Sequence, residues 1–188
     1  TGFALSFIRK NKANPFFLYL PYTVPHSRFE IPDLGPYSDR DWPQKAKVYA
    51  AMITRMDDHI GHIMSLLKEL KIDEKTILFF CSDNGAANRY DGLFNSSGPL
   101  RGRKREMYEG GLRTPMIVRW PKRVPANQTS DAVWSFTDFL PTSAELANAN
   151  KPERLDGISI LPTLLGKSQD TENRFLYWEF FEGGFQQA

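Results

Sequence analysis

"TILFFCSDNG" (Thr76–Gly85) joins a short apolar run to a cluster of polar side chains. The apolar part predicts a buried β-strand, because it is short, continuous and contains aromatic residues. Directly after it the chain carries a thiol, a hydroxyl, a carboxylate and an amide, on Cys81, Ser82, Asp83 and Asn84. Ligands of open α/β sheets collect beyond the carboxyl ends of the strands, so this junction is a candidate functional position.

The segments on either side of this strand predict alternating helices and strands. An amphipathic helix is expected over residues 3–11, and a longer one from Pro43 to about Lys71, where apolar residues recur every three or four positions. A helix is also expected after Asp138, which could cap it. Further strands are expected at 16–20, 116–120, 132–136 and 174–180. This order favours an α/β fold with a largely parallel sheet.

The composition is typical of a globular protein and argues against several functional classes. The chain has 188 residues, and its formal net charge of +2 is too small to indicate a nucleic-acid partner. No run approaches the roughly 20 apolar residues of a membrane span. A single cysteine excludes an internal disulfide framework.

The polar residues at the strand end allow more than one interpretation. A catalytic thiol needs a base or a cation beside it, and no histidine lies near Cys81 in the sequence, so we expect a small core residue there. Asp83 and Asn84 offer the oxygen ligands that Ca²⁺ or Mg²⁺ prefers, whereas zinc would favour histidine or cysteine. Asp-Asn-Gly is also an ordinary turn sequence, so the pair alone leaves both a metal site and a turn open.

Other loops carry further candidate groups. His26 follows the predicted strand 16–20 and could act as a general acid or anion contact, or be a surface residue. The basic stretch 101–105 could bind an oxyanion, with Lys104 as a point charge, or be a solvated loop. His59 and His62 on the long helix are better explained by a solvated polar face than by metal binding.

Taken in order, these segments resemble the type I sulfatase family of the alkaline phosphatase superfamily. The most specific parts of this resemblance are the predicted strand that runs into Ser-Asp-Asn-Gly and the lysine four residues before Tyr-Glu-Gly-Gly. The resemblance implies a three-layer α/β/α alkaline-phosphatase-like fold, present here as a partial, C-terminal portion. The segments that carry it span essentially the whole chain and are FFLYLPYTVPH, MITRMDDHIGHIMSLLKEL, TILFFCSDNG, GPLRGRKREMYEGGLRTPMIVRWP, FTDFLPTSAELA and DGISILPTLLG.

The resemblance assigns roles to four residues. Asp83 and Asn84 match the acid and the amide that ligate the active-site Ca²⁺ of the family. Lys104 matches the lysine that contacts the sulfate group, and His26 matches the histidine that hydrogen-bonds the sulfate or the leaving oxygen. A divalent cation and a lysine would stabilise the negative charge that develops as the S–O bond breaks.

Other parts of the family's site are missing from these residues. The formylglycine nucleophile comes from a C-x-P-x-R motif, which does not occur here, and neither does a G-K-W-H stretch. The family's upstream pair of aspartates is missing too, since Asp57-Asp58 lie inside the predicted long helix and not at a strand end. Phe181 stands where many relatives have histidine. We therefore expect residues 1–188 to be the C-terminal half of a sulfatase catalytic domain, without its N-terminal half and its small C-terminal subdomain. On its own this fragment is expected to be inactive and to bind Ca²⁺ weakly.

The function implied for the full-length protein is hydrolysis of sulfate esters, sugar esters among them, through formylglycine and Ca²⁺. The expected partner is a small-molecule or glycan sulfate ester, with no nucleic acid and no membrane span. A phosphomonoesterase or phosphodiesterase of the same superfamily is one alternative, and a non-catalytic glycan-binding pseudoenzyme is another. The resemblance implies a periplasmic, secreted or lysosomal location.

Overall fold

A computed structural model describes residues 1–26, 28–87, 90–171, 174–182 and 184–188 of the chain. These residues group into two compact units, Thr1–Thr76 and Ile77–Ala188. Among the helices of the described ranges, none combines the length and the apolar character needed to cross a membrane.

The first unit is built on two helices, α1 (Gly2–Asn11) and α2 (Gln44–Glu69). Both were predicted from their apolar periodicity, and α2 begins directly after Pro43, as proline's fixed backbone angle favours. The core between them consists of Ile8 from α1 and the α2 residues Ile63, Leu66 and Leu67. Burying these side chains is what holds the two helices together.

The segment 16–20, predicted as a buried strand, packs on this core without forming one. Phe16, Leu18 and Leu20 contact the core, whereas Phe17 and Tyr19 between them are 69% and 74% exposed. The side chains therefore alternate as they do in a strand. No β-pairing is assigned to this segment within the described residues, and a strand requires a hydrogen-bonded neighbour. The prediction was wrong in that respect.

The second unit contains the predicted strand after residue 76. β1 (Leu78–Cys81) pairs with β2 (Met116–Arg119), and Cys81 lies opposite Met116. The pairing is antiparallel, so the expected parallel arrangement was wrong for these two strands. The physical reason is the connection: the loop 82–115 folds back and re-enters the sheet beside the end of β1. Among its described residues, 82–87 and 90–115, the loop forms the short helices α3 (Asp91–Phe94) and α4 (Glu109–Leu112).

The described residues that follow β2 form helices, loops and a pair of short strands. No strand is assigned at 132–136; a 3₁₀ turn (Phe136–Asp138) follows this segment and leads into α5 (Phe139–Leu146). After α6 (Leu161–Leu164), the short strands β3 (Glu179–Phe180) and β4 (Gln186–Gln187) form an antiparallel hairpin. Only the last two residues of the strand predicted at 174–180 are therefore in a sheet.

Asp138 is the buried polar centre of this unit. Its carboxylate is fully buried and does not cap α5, contrary to the sequence prediction. It accepts the backbone N–H groups of Ser135 at 2.8 Å and Ile158 at 2.9 Å. Nη2 of Arg174 lies 2.7 Å from both carboxylate oxygens. Asp138 therefore joins three separate segments by satisfying donors that would otherwise be buried without a partner.

Candidate functional site

Two backbone hydrogen bonds join the polar end of β1 to the later part of the same loop. The N–H of Gly85 donates to the carbonyl of Gly111 at 3.0 Å, and the N–H of Lys104 donates to the carbonyl of Ala86 at 2.8 Å. Asp83 and Asn84 immediately precede the first of these contacts. The structure thus ties the segment that carries the acid and the amide to the segment that carries the lysine.

Glycines make this close approach possible. A Cβ atom on Gly85 would overlap the carbonyl oxygen of Gly110, and one on Gly110 would overlap the carbonyl oxygen of Gly102. A Cβ on Gly111 would overlap the carbonyl oxygen of Glu106. In each case the obstacle is backbone, which cannot swing aside as a side chain can. The structure therefore shows a backbone-to-backbone packing that requires glycine at these three positions.

Asp83 and Asn84 have oxygens available for a ligand. The Asp83 side chain is exposed, and among the described residues no hydrogen bond or ion pair engages its carboxylate. Nδ2 of Asn84 donates to the carbonyl of Gly85 at 3.1 Å. That bond uses the nitrogen of the amide and leaves Oδ1, the atom that binds cations, as an acceptor.

Two of the three arginines around Lys104 are engaged within the loop. Arg101 donates to the hydroxyl of Tyr108 at 2.7 Å, and its guanidinium lies 3.7 Å from the centre of the Tyr108 ring. Nε of Arg103 lies 3.1 Å from Oε1 of Glu106. The ion pair with Glu106 offsets the charge of Arg103, whereas the contact with the neutral Tyr108 holds Arg101 in place without offsetting its charge.

The third arginine reaches a different segment, and Lys104 has no partner among the residues that the structure describes. Nε of Arg105 lies 3.2 Å from Oε2 of Glu182, in the β3–β4 hairpin. Lys104 is half-buried, and its ammonium makes no hydrogen bond or ion pair with any residue that the structure describes. The basic stretch therefore offers one uncommitted cation to an anionic ligand, at the position the sequence singled out.

His26 lies in the first unit, and the other three candidates lie in the second. Its side chain is exposed, and its backbone N–H closes a turn by donating to the carbonyl of Thr23 at 3.0 Å. The predicted loop position of His26 is therefore confirmed. Its role toward an anion stays a prediction.

Known proteins match this chain along almost all of its length. A family model described as Sulfatase matches residues 1–149. The chain belongs to the sulfatase family. Among its relatives, human steryl-sulfatase is 36% identical over 183 residues, which are 93% of this chain and 30% of that protein. Canine N-acetylgalactosamine-6-sulfatase is 36% identical over 182 residues, again 93% of this chain and 33% of that protein.

Solved structures agree with this assignment. The structure of Ps i-CgsB in complex with k-i-k-neocarrahexaose matches with a TM-score of 0.83 and 31% identity, over 95% of this chain and 40% of that one. The sulfatase chain therefore has the alkaline-phosphatase-like α/β fold of its structural neighbours, as a partial portion. It spans about a third of the length of the curated relatives it matches.

The donor set of this sulfatase chain fits one side of a calcium site. Ca²⁺ takes six to eight oxygen ligands, and Asp83 and Asn84 supply a carboxylate and an amide oxygen on adjacent residues. In the described parts of the chain, no three histidine, cysteine, aspartate or glutamate side chains come together in a group that could hold a metal ion.

The other residues weighed from the sequence behave as ordinary structural groups. Cys81 is a half-buried free thiol at the end of β1, and burial raises its pKa above the usual range, which opposes formation of a reactive thiolate. On α2, partial burial and then the charge of Arg55 are among the causes that lower the pKa of His59. His62 is exposed, as a solvated helix face predicts.

Sequence reasoning missed two features of this region. One is the set of glycines that bring the loop segments together, for which the only signal was their number in the loop. The other is the ion pair between Arg105 and Glu182, because residues so far apart in sequence give no local signal of contact.

Proposed function

We propose that the full-length protein containing this sulfatase chain hydrolyses sulfate esters, with sugar sulfates as its substrate class. The observation that carries the proposal is the pair of oppositely charged groups, Asp83 and Lys104, on two loop segments tied by hydrogen bonds at Gly85 and Ala86. Neither group has a partner in the part of the chain that the structure describes. The negative charge of Asp83 suits a metal cation, and the positive charge of Lys104 suits a sulfate group. A metal-assisted reaction on a sulfate ester requires both.

Each candidate residue then has a chemical task. The carboxylate of Asp83 and Oδ1 of Asn84 would hold Ca²⁺, together with carboxylates from outside these 188 residues. Lys104 would bind a sulfate oxygen, and its half-buried position strengthens that attraction by reducing the screening of water. His26 would donate a hydrogen bond to the sulfate or to the leaving oxygen. A bound Ca²⁺ would supply further neutralisation of negative charge at the ester.

The nucleophile of the proposed reaction also lies outside these residues. No C-x-P-x-R motif occurs in the chain, and Cys81 does not belong to one. We infer that residues 1–188 form the C-terminal half of a catalytic domain whose other half supplies a formylglycine. We further infer a periplasmic, secreted or lysosomal location for the whole enzyme.

The names of the relatives support a sugar ester as substrate. The canine relative is named for N-acetylgalactosamine 6-sulfate, and Ps i-CgsB was solved with an oligosaccharide. The human relative is named for a steryl ester. We propose sugar sulfates as the substrate class because the structure that matches with a TM-score of 0.83 holds an oligosaccharide.

The test compares the rates at which the full-length enzyme hydrolyses different esters. Sulfate release from 4-nitrophenyl sulfate and from N-acetylgalactosamine 6-sulfate is measured beside phosphate release from 4-nitrophenyl phosphate, with Ca²⁺ present. The proposal predicts turnover of the sulfates and a much lower rate on the phosphate. Faster turnover of the phosphate would establish the phosphoesterase alternative, and binding of the sulfated sugar without turnover would establish the pseudoenzyme alternative.

A further inference from the structure

Arg101 and Tyr108 form a close side-chain pair on the segment that carries Lys104. Nη2 of Arg101 donates to the Tyr108 hydroxyl at 2.7 Å, and the guanidinium lies 3.7 Å from the centre of the Tyr108 ring. The face of an aromatic ring attracts a guanidinium at this distance, and the hydrogen bond fixes the orientation of the two groups. Two residues seven positions apart in the sequence are therefore joined by two different contacts.

The backbone closes the segment between these two residues. The N–H of Gly110 donates to the carbonyl of Arg101 at 2.7 Å, so residues 101–110 form a closed loop, which we call the lysine loop. The carbonyl of Tyr108 accepts the N–H of Gly111 at 2.8 Å, at the beginning of α4. The side-chain pair thus joins the first residue of the lysine loop to a residue near its end.

The Tyr108 side chain also packs against the backbone that leads to Lys104. Gly102 has a φ of +84°, and a Cβ atom added there would lie 2.7 Å from Cβ of Tyr108. The ammonium of Lys104 makes no hydrogen bond or ion pair with any residue that the structure describes, whereas its backbone N–H donates to the carbonyl of Ala86 at 2.8 Å. Where the ammonium lies therefore depends on the backbone of the lysine loop, which Tyr108 contacts two residues before Lys104.

Arg101 is less suited than Lys104 to bind the anion itself. Its Nη2 already donates to the Tyr108 hydroxyl, and one face of its guanidinium is covered by the Tyr108 ring. A ligand that took Arg101 would have to replace both contacts. The arrangement favours a structural task for the pair and leaves the ligand to the lysine.

We propose that Arg101 and Tyr108 are positioning residues, which hold the lysine loop in the shape that presents Lys104 to a sulfate group. The inference rests on the proposed function and extends it to two residues that act without touching the ester. A displacement of about 1 Å at a reacting group costs on the order of 100-fold in rate. A pair that fixes the loop therefore affects catalysis even though both side chains are exposed.

The first test measures kcat/KM of the full-length enzyme for 4-nitrophenyl sulfate. Arg101→Ala and Tyr108→Ala should each lower kcat/KM roughly tenfold, because either change removes both contacts of the pair. Tyr108→Phe keeps the ring against the guanidinium and should stay within about threefold of the wild type. Equal losses for Tyr108→Phe and Tyr108→Ala would overturn the proposal, because they would show that the hydroxyl itself acts on the ester.

The second test is a double-mutant cycle with Lys104→Ala. If the pair acts through Lys104, adding Arg101→Ala or Tyr108→Ala to Lys104→Ala should lower kcat/KM by no more than about twofold further. A further loss of roughly tenfold in the double variants would overturn the proposal, because independent effects add. It would show that Arg101 or Tyr108 contributes to the reaction without the lysine.

The matched control is Arg123→Ala. The guanidinium of Arg123 lies 5.8 Å from the centre of the Trp120 ring, in a looser arginine–aromatic pair outside the lysine loop, so kcat/KM should be unchanged. Equal losses for Arg123→Ala and Arg101→Ala would overturn the proposal, and so would unchanged kcat/KM in both Arg101→Ala and Tyr108→Ala. A wild-type enzyme that releases no sulfate would instead overturn the proposed function, before any variant is compared.

Discussion

The backbone N–H of Lys104 donates to the carbonyl oxygen of Ala86 at 2.8 Å. This bond holds the cationic segment of the long loop against the residues that follow Asp83 and Asn84. It is independent of side-chain type at either position, so the segments stay joined even when a functional side chain is changed. Substitutions at Asp83 or Lys104 can therefore be interpreted as chemistry and not as loss of the loop.

Replacing Gly85 should damage the site through its backbone. Gly85→Ala forces a Cβ against the carbonyl of Gly110, so the two loop segments must separate. A displacement of this kind costs on the order of 100-fold in turnover. Gly92→Ala is the control, because nothing lies within 4 Å of its added Cβ. Equal activity of the two variants on 4-nitrophenyl sulfate would mean that the packing of these glycines does not position the site.

Removing the lysine should affect catalysis far more than removing a neighbouring arginine. Lys104→Ala deletes the uncommitted cation, and losing one such contact to the transition state lowers kcat/KM on the order of 100-fold. Arg103→Ala deletes a charge that Glu106 already pairs, on an exposed part of the loop, so activity should change by no more than about twofold. Steady-state kinetics with an aryl sulfate measure both. A larger loss for Arg103→Ala would reassign the anion contact.

The buried pair of Asp138 and Arg174 should be important for stability. Asp138→Asn leaves Arg174 without its carboxylate partner in a buried position, which lowers the free energy of unfolding by about 3 kcal/mol. The comparison is Glu69→Gln, which breaks a similarly close pair with Arg9 on the exposed surface. Thermal unfolding should show a clear drop in midpoint for the first variant and a far smaller one for the second. Equal drops would show that burial does not govern these pairs.

The thiol of Cys81 should react slowly at neutral pH. Burial raises its pKa, so at pH 8 a smaller fraction is thiolate than for an exposed cysteine with a pKa of about 8.5. Alkylation by iodoacetamide, followed by mass spectrometry of the peptide containing Cys81, should be slow at pH 7 and accelerate as the pH rises past 9. Rapid labelling at pH 7 would indicate an activated thiol and would reopen the catalytic interpretation.

Much of the local structure could be predicted because it depends on local patterns. The apolar repeat that ends at Leu67 and Leu70 predicted α2, and the run before Cys81 predicted β1. The antiparallel pairing of β1 with β2 could not be predicted, because it depends on how the loop 82–115 folds back. The segment 16–20 has the apolar composition of a strand, but the strand itself depends on a hydrogen-bonding neighbour elsewhere in the protein.

The site was predictable in its parts and not in its connections. The position of Asp83 and Asn84 after a strand followed from the sequence, and the family resemblance singled out Lys104 among five consecutive residues. The three arginines around it contact Tyr108, Glu106 and Glu182. These contacts depend on the folded structure, so the sequence alone does not show them. The pairing explains physically why the lysine is the cation left for a ligand.

The calcium-ligand role of Asp83 is tested by comparing two positions of the full-length enzyme that are separated only by Ser82. Asp83→Ala removes the proposed calcium ligand, whereas Cys81→Ala removes a half-buried thiol that has no proposed catalytic role. Turnover of 4-nitrophenyl sulfate with saturating Ca²⁺ is measured for both variants and for the wild type. We expect Asp83→Ala to abolish turnover and Cys81→Ala to retain it. Full activity of Asp83→Ala, or loss of activity only in Cys81→Ala, would show that Asp83 does not hold the catalytic Ca²⁺.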